Sequence, residues 1–192
     1  MKEHTRPSIQ HKGKHLLKTW KQSWLLDESN SMIQRMELLE QINNPIMPKL
    51  SFSVGPDHIQ LKRRWIPLSQ TPIPYSAWMD AHQRILNLHK QGIIHWDIRP
   101  SNLIWDGQQL WLIDWEPSVL QLRRNRVQLI CSPDWMAPSD FGSIPTQKSD
   151  IIGLISSYYH LHLGKIPNPN VRQCWEKMTY SEALNQIDQE LL

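Results

Sequence analysis

The sequence is short of glycine, cysteine and phenylalanine, and each shortage excludes something. Seven glycines are spread over 192 residues, and Gly13 is the only one before Gly55. The first quarter therefore holds no G-x-G-x-x-G loop of the sort whose backbone amides cradle phosphates. Two cysteines, Cys131 and Cys174, make neither a disulfide framework nor a zinc site, which is the usage of a reducing compartment, and a cytoplasmic setting is expected. The longest apolar stretch, 151–163, is too short to cross a bilayer and contains two His and two Ser, so no membrane span is expected. The first residues, with Lys2, Glu3 and Arg6, lack the apolar core of a secretory signal. Charge of one sign is scarce too: 21 basic and 18 acidic residues leave a net +3, too mild to argue for a nucleic-acid partner. Two Phe stand against ten Trp. What remains is an ordinary globular composition, 40% hydrophobic and 20% charged. A chain of this length buries about 70% of its unfolded surface, enough for one domain or two small lobes sharing an interface.

Periodicity places the elements. Residues 9–20 read as a hairpin turning at Lys12-Gly13-Lys14. A helix follows from Asn30-Ser31, where Ser31 and Gln34 have capping-box spacing and Met32, Met36 and Leu39 keep helical period; Asn43-Asn44-Pro45 stops it. Leu50, Phe52 and Val54 alternate, Gly55-Pro56-Asp57 turns, and Ile59, Leu61 and Trp65 alternate again with Arg63 as the exception: a second hairpin. The Pro-rich stretch 68–74 reads as a connector, dividing the chain into 1–68 and 69–192. Beyond it, 76–91 is a helix with Trp78, Ala81, Ile85 and Leu88 on one stripe and Gly92 as its stop. Asp106-Gly107 predicts a two-residue hairpin loop, 149–163 a buried helix, and 181–192 an amphipathic one carrying Leu184, Ile187 and Leu191. The fold class expected is α+β, a small β-rich lobe followed by a helical lobe.

The chemistry concentrates between Gly92 and Glu116. A loop holding His95, Asp97 and Asn102 leads into a tight hairpin that returns Asp114 to where Asn102 began. Two oxygen ligands, Asn102 and Asp114, thus meet beside a second carboxylate, Asp97. Hard oxygen donors suit Mg²⁺, which takes one or two carboxylates plus phosphate oxygens. Arg99 adds a fixed positive charge, and the set fits phosphoryl transfer, where positioning and charge stabilisation do most of the catalysis.

His95-x-Asp97-x-x-x-x-Asn102 resembles the protein-kinase catalytic loop, and Asp114 sits where the Asp-Phe-Gly aspartate stands. The stretch 132–139, containing Met136-Ala137-Pro138-Ser139, resembles the end of a kinase activation segment. Lys148-Ser149-Asp150-Ile151 opens what resembles the central helix of the kinase helical lobe. Four landmarks in family order, from about residue 77 to 167, imply a bilobal protein kinase-like fold with a short N-terminal lobe, Mg²⁺ and ATP as cofactors, and a hydroxyl acceptor. The resemblance implies Asp97 as the proton acceptor, Arg99 as the neutraliser of the transferred group, and Asn102 and Asp114 as metal ligands. His95 and Asp150 would brace the loop. It further implies Lys18 as the phosphate-binding lysine, Glu37 as its partner, and a hinge at 65–68, with Trp65 and Ile66 meeting adenine. Counting back from Pro45 puts Arg35 in the glutamate slot instead, and Glu40 shares a face with Glu37.

The departures shape the functional expectation. Trp96 replaces the arginine that usually receives a phosphate on the segment. Trp115-Glu116 replaces Phe-Gly, an ending that resembles choline and aminoglycoside kinases. Ser139 replaces the glutamate of Ala-Pro-Glu, which in that family pairs with an arginine late in the fold. The activity expected is Mg·ATP-dependent transfer to a protein Ser/Thr hydroxyl. The alternatives are a small-molecule or glycan hydroxyl, and a pseudokinase that scaffolds without transfer; a partner protein that completes the short lobe belongs to the same picture. Arg123, Arg124 and Arg126 read as a solvated run with an acidic or phosphorylated partner as the alternative, Cys131 as a plain buried thiol, and His160 and His162 as lying on different helix faces, against a metal site.

Overall fold

The computed structural model describes residues 8–21, 33, 37, 39–42, 44–56, 58–115, 133–143 and 145–190. The expectations resting on Ser31, Met32, Gln34, Arg35, Met36, Asn43, Asp57, Glu116, Arg123, Arg124, Arg126, Cys131, Ser132 and Leu191 lie outside these residues. Four antiparallel strands come first: β1 (Ser8–Lys12), β2 (His15–Lys21), β3 (Leu50–Val54) and β4 (His58–Arg64), in the order β1-β2-β4-β3. Both expected hairpins are present, β1 with β2 and β3 with β4. Register puts Lys18 beside Leu61 and Leu16 beside Arg63. Residues that pair across strands share a face. The inner face therefore carries Leu16, Lys18, Ile59, Leu61 and Arg63, all buried. Arg63 is in phase with the apolar positions rather than turned away from them. Between the hairpins, Ile33, Glu37 and 39–41 are helical, and Leu39 is buried.

The helical part begins with α1 (Tyr75–His89), whose Trp78, Ala81, Ile85 and Leu88 enter the core as the period requires. It ends two residues before the expected boundary. Gly92 at φ 75° donates to the carbonyl of His89 while Ile93 donates to that of Leu88, a Schellman stop that needs a left-handed residue at Gly92. A short hairpin follows, β5 (Leu103–Trp105) with β6 (Leu110–Leu112). Its connection is four residues rather than the expected two. Asp106 Oδ1 accepts from the amides of Gln108 and Gln109 and Oδ2 from the Trp111 indole, so the aspartate builds the loop from its side chain. Burial pushes the Asp106 carboxyl up, but the Gln109 amide, the Trp111 indole and the Gln108 amide outweigh it and hold it below the usual carboxylate range.

Helix α2 (Gln147–Leu163) opens on Thr146, whose side chain accepts from Lys148 N–H, and residues from Ser149 to Tyr158 are nearly all buried. Helix α3 (Pro169–Trp175) was not legible in the pattern: it is seven residues long, with Asn168 as its cap. Helix α4 (Tyr180–Gln189) starts with a capping box between Thr179 and Glu182, and buries Leu184 and Ile187. One core joins sheet and helices, running from Leu39 and Ile59 through Trp78 and Leu112 to Trp175 and Ile187. The segment after the first helix ties the halves: Leu112 donates to the Ile46 carbonyl, and buried Asn44 donates to that of Arg84. Among the described residues no helix is long and apolar enough to cross a membrane.

Candidate active site

The loop 95–102 is shaped by one buried carboxylate. Asp150, in the first turn of α2, accepts from the amides of His95 and Trp96, each at 2.8 Å, and meets His89 Nε2 at 2.9 Å. These bonds hold Trp96 at φ 75°, a left-handed backbone that a tryptophan adopts only under constraint. Gly153, one turn further along α2, lets the Ile98 carbonyl lie against the helix. His95 is buried and assigns its own tautomer. Nε2 faces the Ile113 carbonyl at 2.8 Å, which can only accept, while Nδ1 receives the Asp97 amide at 3.2 Å. Trp115 packs edge-on against His95 at 4.5 Å between ring centroids and donates its indole N–H to the Leu112 carbonyl. The imidazole thus links the loop to the strand end that carries Asp114, and Trp115 fills the phenylalanine position as a fixed core side chain.

Around this frame the polar groups converge. Asn102 Nδ2 donates to the Asp97 carbonyl at 2.8 Å and to Asp97 Oδ2 at 3.1 Å. Arg99 Nε sits 3.2 Å from the same Oδ2. Ile113 donates to the Asn102 carbonyl, which sets the β6 exit beside the loop. Asp114 then turns at φ 65°, and its Oδ1 meets Lys18 Nζ at 2.6 Å. That contact spans sheet and hairpin, and brings to one place two residues 96 positions apart. Lys18 is buried on the inner sheet face, while Asp114 is 30% exposed. Glu37, expected beside Lys18, is exposed; among the described residues Asp114 brings a carboxylate to the ammonium. Trp65 is exposed, donates its amide to the Lys14 carbonyl and packs its ring edge-on against His11 at 4.4 Å; Ile66 is buried. The chain after them is tied to the helical part where Ser69 donates to the Trp105 carbonyl.

The donor set passes a test for Mg²⁺. Asn102 commits its amide nitrogen to Asp97 and keeps Oδ1 as an oxygen ligand. Asp114 commits Oδ1 to Lys18 and keeps Oδ2. Both are hard oxygens. Asn102 Oδ1 and Asp114 Oδ2 would each offer one oxygen, and Mg²⁺ takes one or two such ligands and fills its shell with phosphate oxygens and water.

A residue missed in the sequence completes the surroundings. Arg172 of α3 is buried, and its guanidinium donates to the carbonyls of Pro133, Asp134 and Pro167. Burial lowers its pKa, against a smaller opposing pull from Asp134. It lies late in the chain, as the resemblance asks of the arginine that pairs with Ala-Pro-Glu, but with Ser139 in the glutamate position it takes backbone oxygens instead. Its signal in the sequence was weak, because nothing local marks an arginine for burial.

Compared with known families, the chain matches the model of the phosphotransferase enzyme family over residues 17–139, from just before Lys18 to Ser139. No curated protein matches.

Proposed function

The chain belongs to the phosphotransferase enzyme family, within the protein kinase-like superfamily, and from that premise we propose that it transfers the γ-phosphoryl group of ATP to a hydroxyl. The observation that carries the reading is the two polar pairs, Asp97 with Asn102 and Lys18 with Asp114, joined through the bond from the Ile113 amide to the Asn102 carbonyl. In the transfer the acceptor oxygen forms a bond to the γ-phosphorus, the bond to the β–γ bridging oxygen breaks, and ADP leaves with the electron pair. Asp97, oriented by Asn102 and Arg99, takes the hydroxyl proton. The Arg99 guanidinium neutralises charge on the moving group. Lys18 has three donors, so it can hold Asp114 and a phosphate oxygen together. Asn102 and Asp114 would hold Mg²⁺, which supplies Lewis-acid neutralisation of the phosphate oxygens.

A small-molecule hydroxyl is the acceptor favoured by Asp114-Trp115-Glu116, which resembles the ending in choline and aminoglycoside kinases. A protein Ser/Thr hydroxyl is the second reading, favoured by the braced segment 133–139, which resembles a peptide-docking surface. The division at residue 68, a hinge at Trp65 and Ile66, and a cytoplasmic setting belong to the same proposal. So does a partner protein on the sheet edge: among the described residues β1 is an edge strand and all five of its residues are exposed.

Thermal unfolding with and without Mg²⁺ and ATP tests binding. Nucleotide at 100 times its Kd stabilises by about 2.7 kcal/mol, and Asp114→Ala removes the Mg²⁺-dependent part. Transfer is then read as ADP release with two acceptor panels, small hydroxyl compounds and a Ser/Thr peptide library. Asp97→Ala is expected to abolish it with binding kept; transfer unchanged in Asp97→Ala overturns the mechanism. Binding with no transfer to either panel favours the scaffolding alternative.

A further inference from the structure

The transfer machinery uses the inner face of the sheet and leaves the outer face without a role. Strands β1 to β4 contain six Lys and Arg and no Asp or Glu. Register sorts them: Lys18 and Arg63 share the inner face, while Lys12, His15, Lys62 and Arg64 share the outer one. Lys12 stands opposite His15 and His15 opposite Arg64. The Arg64 amide donates to the Lys49 carbonyl at 3.3 Å, which carries the pairing one residue beyond β3. An unbroken row of basic residues, Lys12, His15, Arg64 and Lys49, therefore crosses the end of the sheet. At a strand spacing of about 4.8 Å the row is about 14 Å long. Lys62 lies behind it, two residues back along β4, and Lys14 flanks it in the turn between β1 and β2. Lys12, Lys14, Lys49, Lys62 and Arg64 are exposed, and among the described residues none of their side chains meets a carboxylate. Like charges directly opposite each other destabilise a sheet, so the row costs the fold stability that a bound anionic surface would restore. The asymmetry extends to the whole chain. Residues 1–68 hold 11 basic against 6 acidic residues and 69–192 hold 10 against 12, so the mild net charge conceals a basic sheet part.

We propose that the outer face of this sheet is a docking surface for an anionic lipid membrane, held by charge alone. Shape and composition favour a membrane over other anions. Side chains that leave one face of a sheet point the same way, so these cations can meet a plane together. A strand or helix bearing carboxylates would meet the row and leave Lys62 aside. Among the described residues the face offers no exposed aromatic or aliphatic side chain: Gln10, Ser51 and Ser53 surround the cations, and Leu17 is buried. A protein interface is built around apolar anchors and is poor in lysine. Single-stranded nucleic acid needs aromatic platforms for its bases. A layer of lipid headgroups needs neither, because its surface potential attracts each Lys or Arg that comes near. With no apolar side chain to insert, the adsorption is reversible and screened by salt. It holds whatever the phosphate acceptor is and does not rest on the transfer reading.

The test is cosedimentation of the full chain with vesicles of phosphatidylcholine, alone or with about 30% phosphatidylserine, at low and high salt. Partition into the phosphatidylserine vesicles only, lost at high salt, is expected. Lys12→Gln, Lys62→Gln and Arg64→Gln are each expected to weaken it about fivefold, the effect of one cation near the surface, and Lys62→Gln with Arg64→Gln about 25-fold. Lys90→Gln and Lys165→Gln, exposed on the helical part, remove the same net charge and are expected to leave partition within about twofold. Thermal unfolding gives a second readout. Arg64→Gln removes the charge between His15 and Lys49 and is expected to keep or raise Tm. Partition into neither vesicle or into both alike overturns the proposal. So does partition insensitive to Lys62 and Arg64, an equal loss in the Lys90 and Lys165 variants, or a lowered Tm in Arg64→Gln. Binding to a single-stranded oligonucleotide or to polyglutamate more tightly than to the phosphatidylserine vesicles assigns the face to another partner and overturns it as well.

Discussion

Replacing Asp150 by alanine removes the group that shapes the catalytic loop, and the structure sets the size of the effect. Two amides, of buried His95 and half-buried Trp96, lose their acceptor, and His89 Nε2 loses its partner. An unsatisfied buried donor costs about 1–3 kcal/mol, so the two amides alone amount to about 2–6 kcal/mol. Against this, Trp96 is released from its left-handed backbone, which relieves about 1–2 kcal/mol. The net expectation is a loss of about 3 kcal/mol, toward the lower part of the range for breaking a buried charged network. Asp150→Asn is no rescue. It puts an NH₂ where an oxygen now receives either the Trp96 amide or the pair from His95 and His89. Urea unfolding of both variants reads the loss as a lower midpoint at constant slope. A loss under about 1 kcal/mol for Asp150→Ala refutes the reasoning, because it means the two amides find other acceptors and do not depend on this carboxylate. Transfer is expected to fall in the same variants, since Asp97 and Asn102 hang on the loop so held.

Two further predictions follow from packing and protonation. Gly153→Ala sets a methyl against the Ile98 carbonyl oxygen and within 3.1 Å of Ile98 Cβ, so helix and catalytic loop must part; a destabilisation of about 1–3 kcal/mol is expected in denaturant unfolding, with transfer reduced. His82 stacks on Tyr180 at 4.1 Å, and burial, then the nearby His89, lowers its pKa below 6.5. The unfolded chain therefore takes the proton first as pH falls. The His82 contribution is fully present above pH 6.5 and is lost as pH drops from there through the lowered folded value. The slope of stability against pH in that window should flatten in His82→Phe, which keeps the stack; an unchanged slope refutes the assignment.

Much of this fold is written locally. Alternation at Leu50, Phe52 and Val54 gives β3, and the stripe from Trp78 to Leu88 gives the buried face of α1. Gly92 marks the helix stop because few other residues take its backbone conformation. The spacing from His95 to Asn102 marks the loop, since short-range geometry limits which side chains a loop of that length can gather. Where local signals misled, a side chain had overruled the backbone pattern: Asp106 widened a two-residue turn to four by accepting two amides itself. Helix α3 escaped notice because seven residues give too few turns for a period to show.

The sequence by itself determined the order of sheet and helices, the hairpins, and the contact of Asp97 with Asn102, because each depends on residues close in the chain. Only the tertiary structure decided that Lys18 meets Asp114 while Glu37 faces outward, that Asp150 strains Trp96, and that Arg172 with Glu176 grips backbone at 133–139. Those contacts join residues tens of positions apart. Burial makes each of them obligatory, since a charge or an amide removed from water must find a partner wherever the fold supplies one, and no local pattern records where that will be.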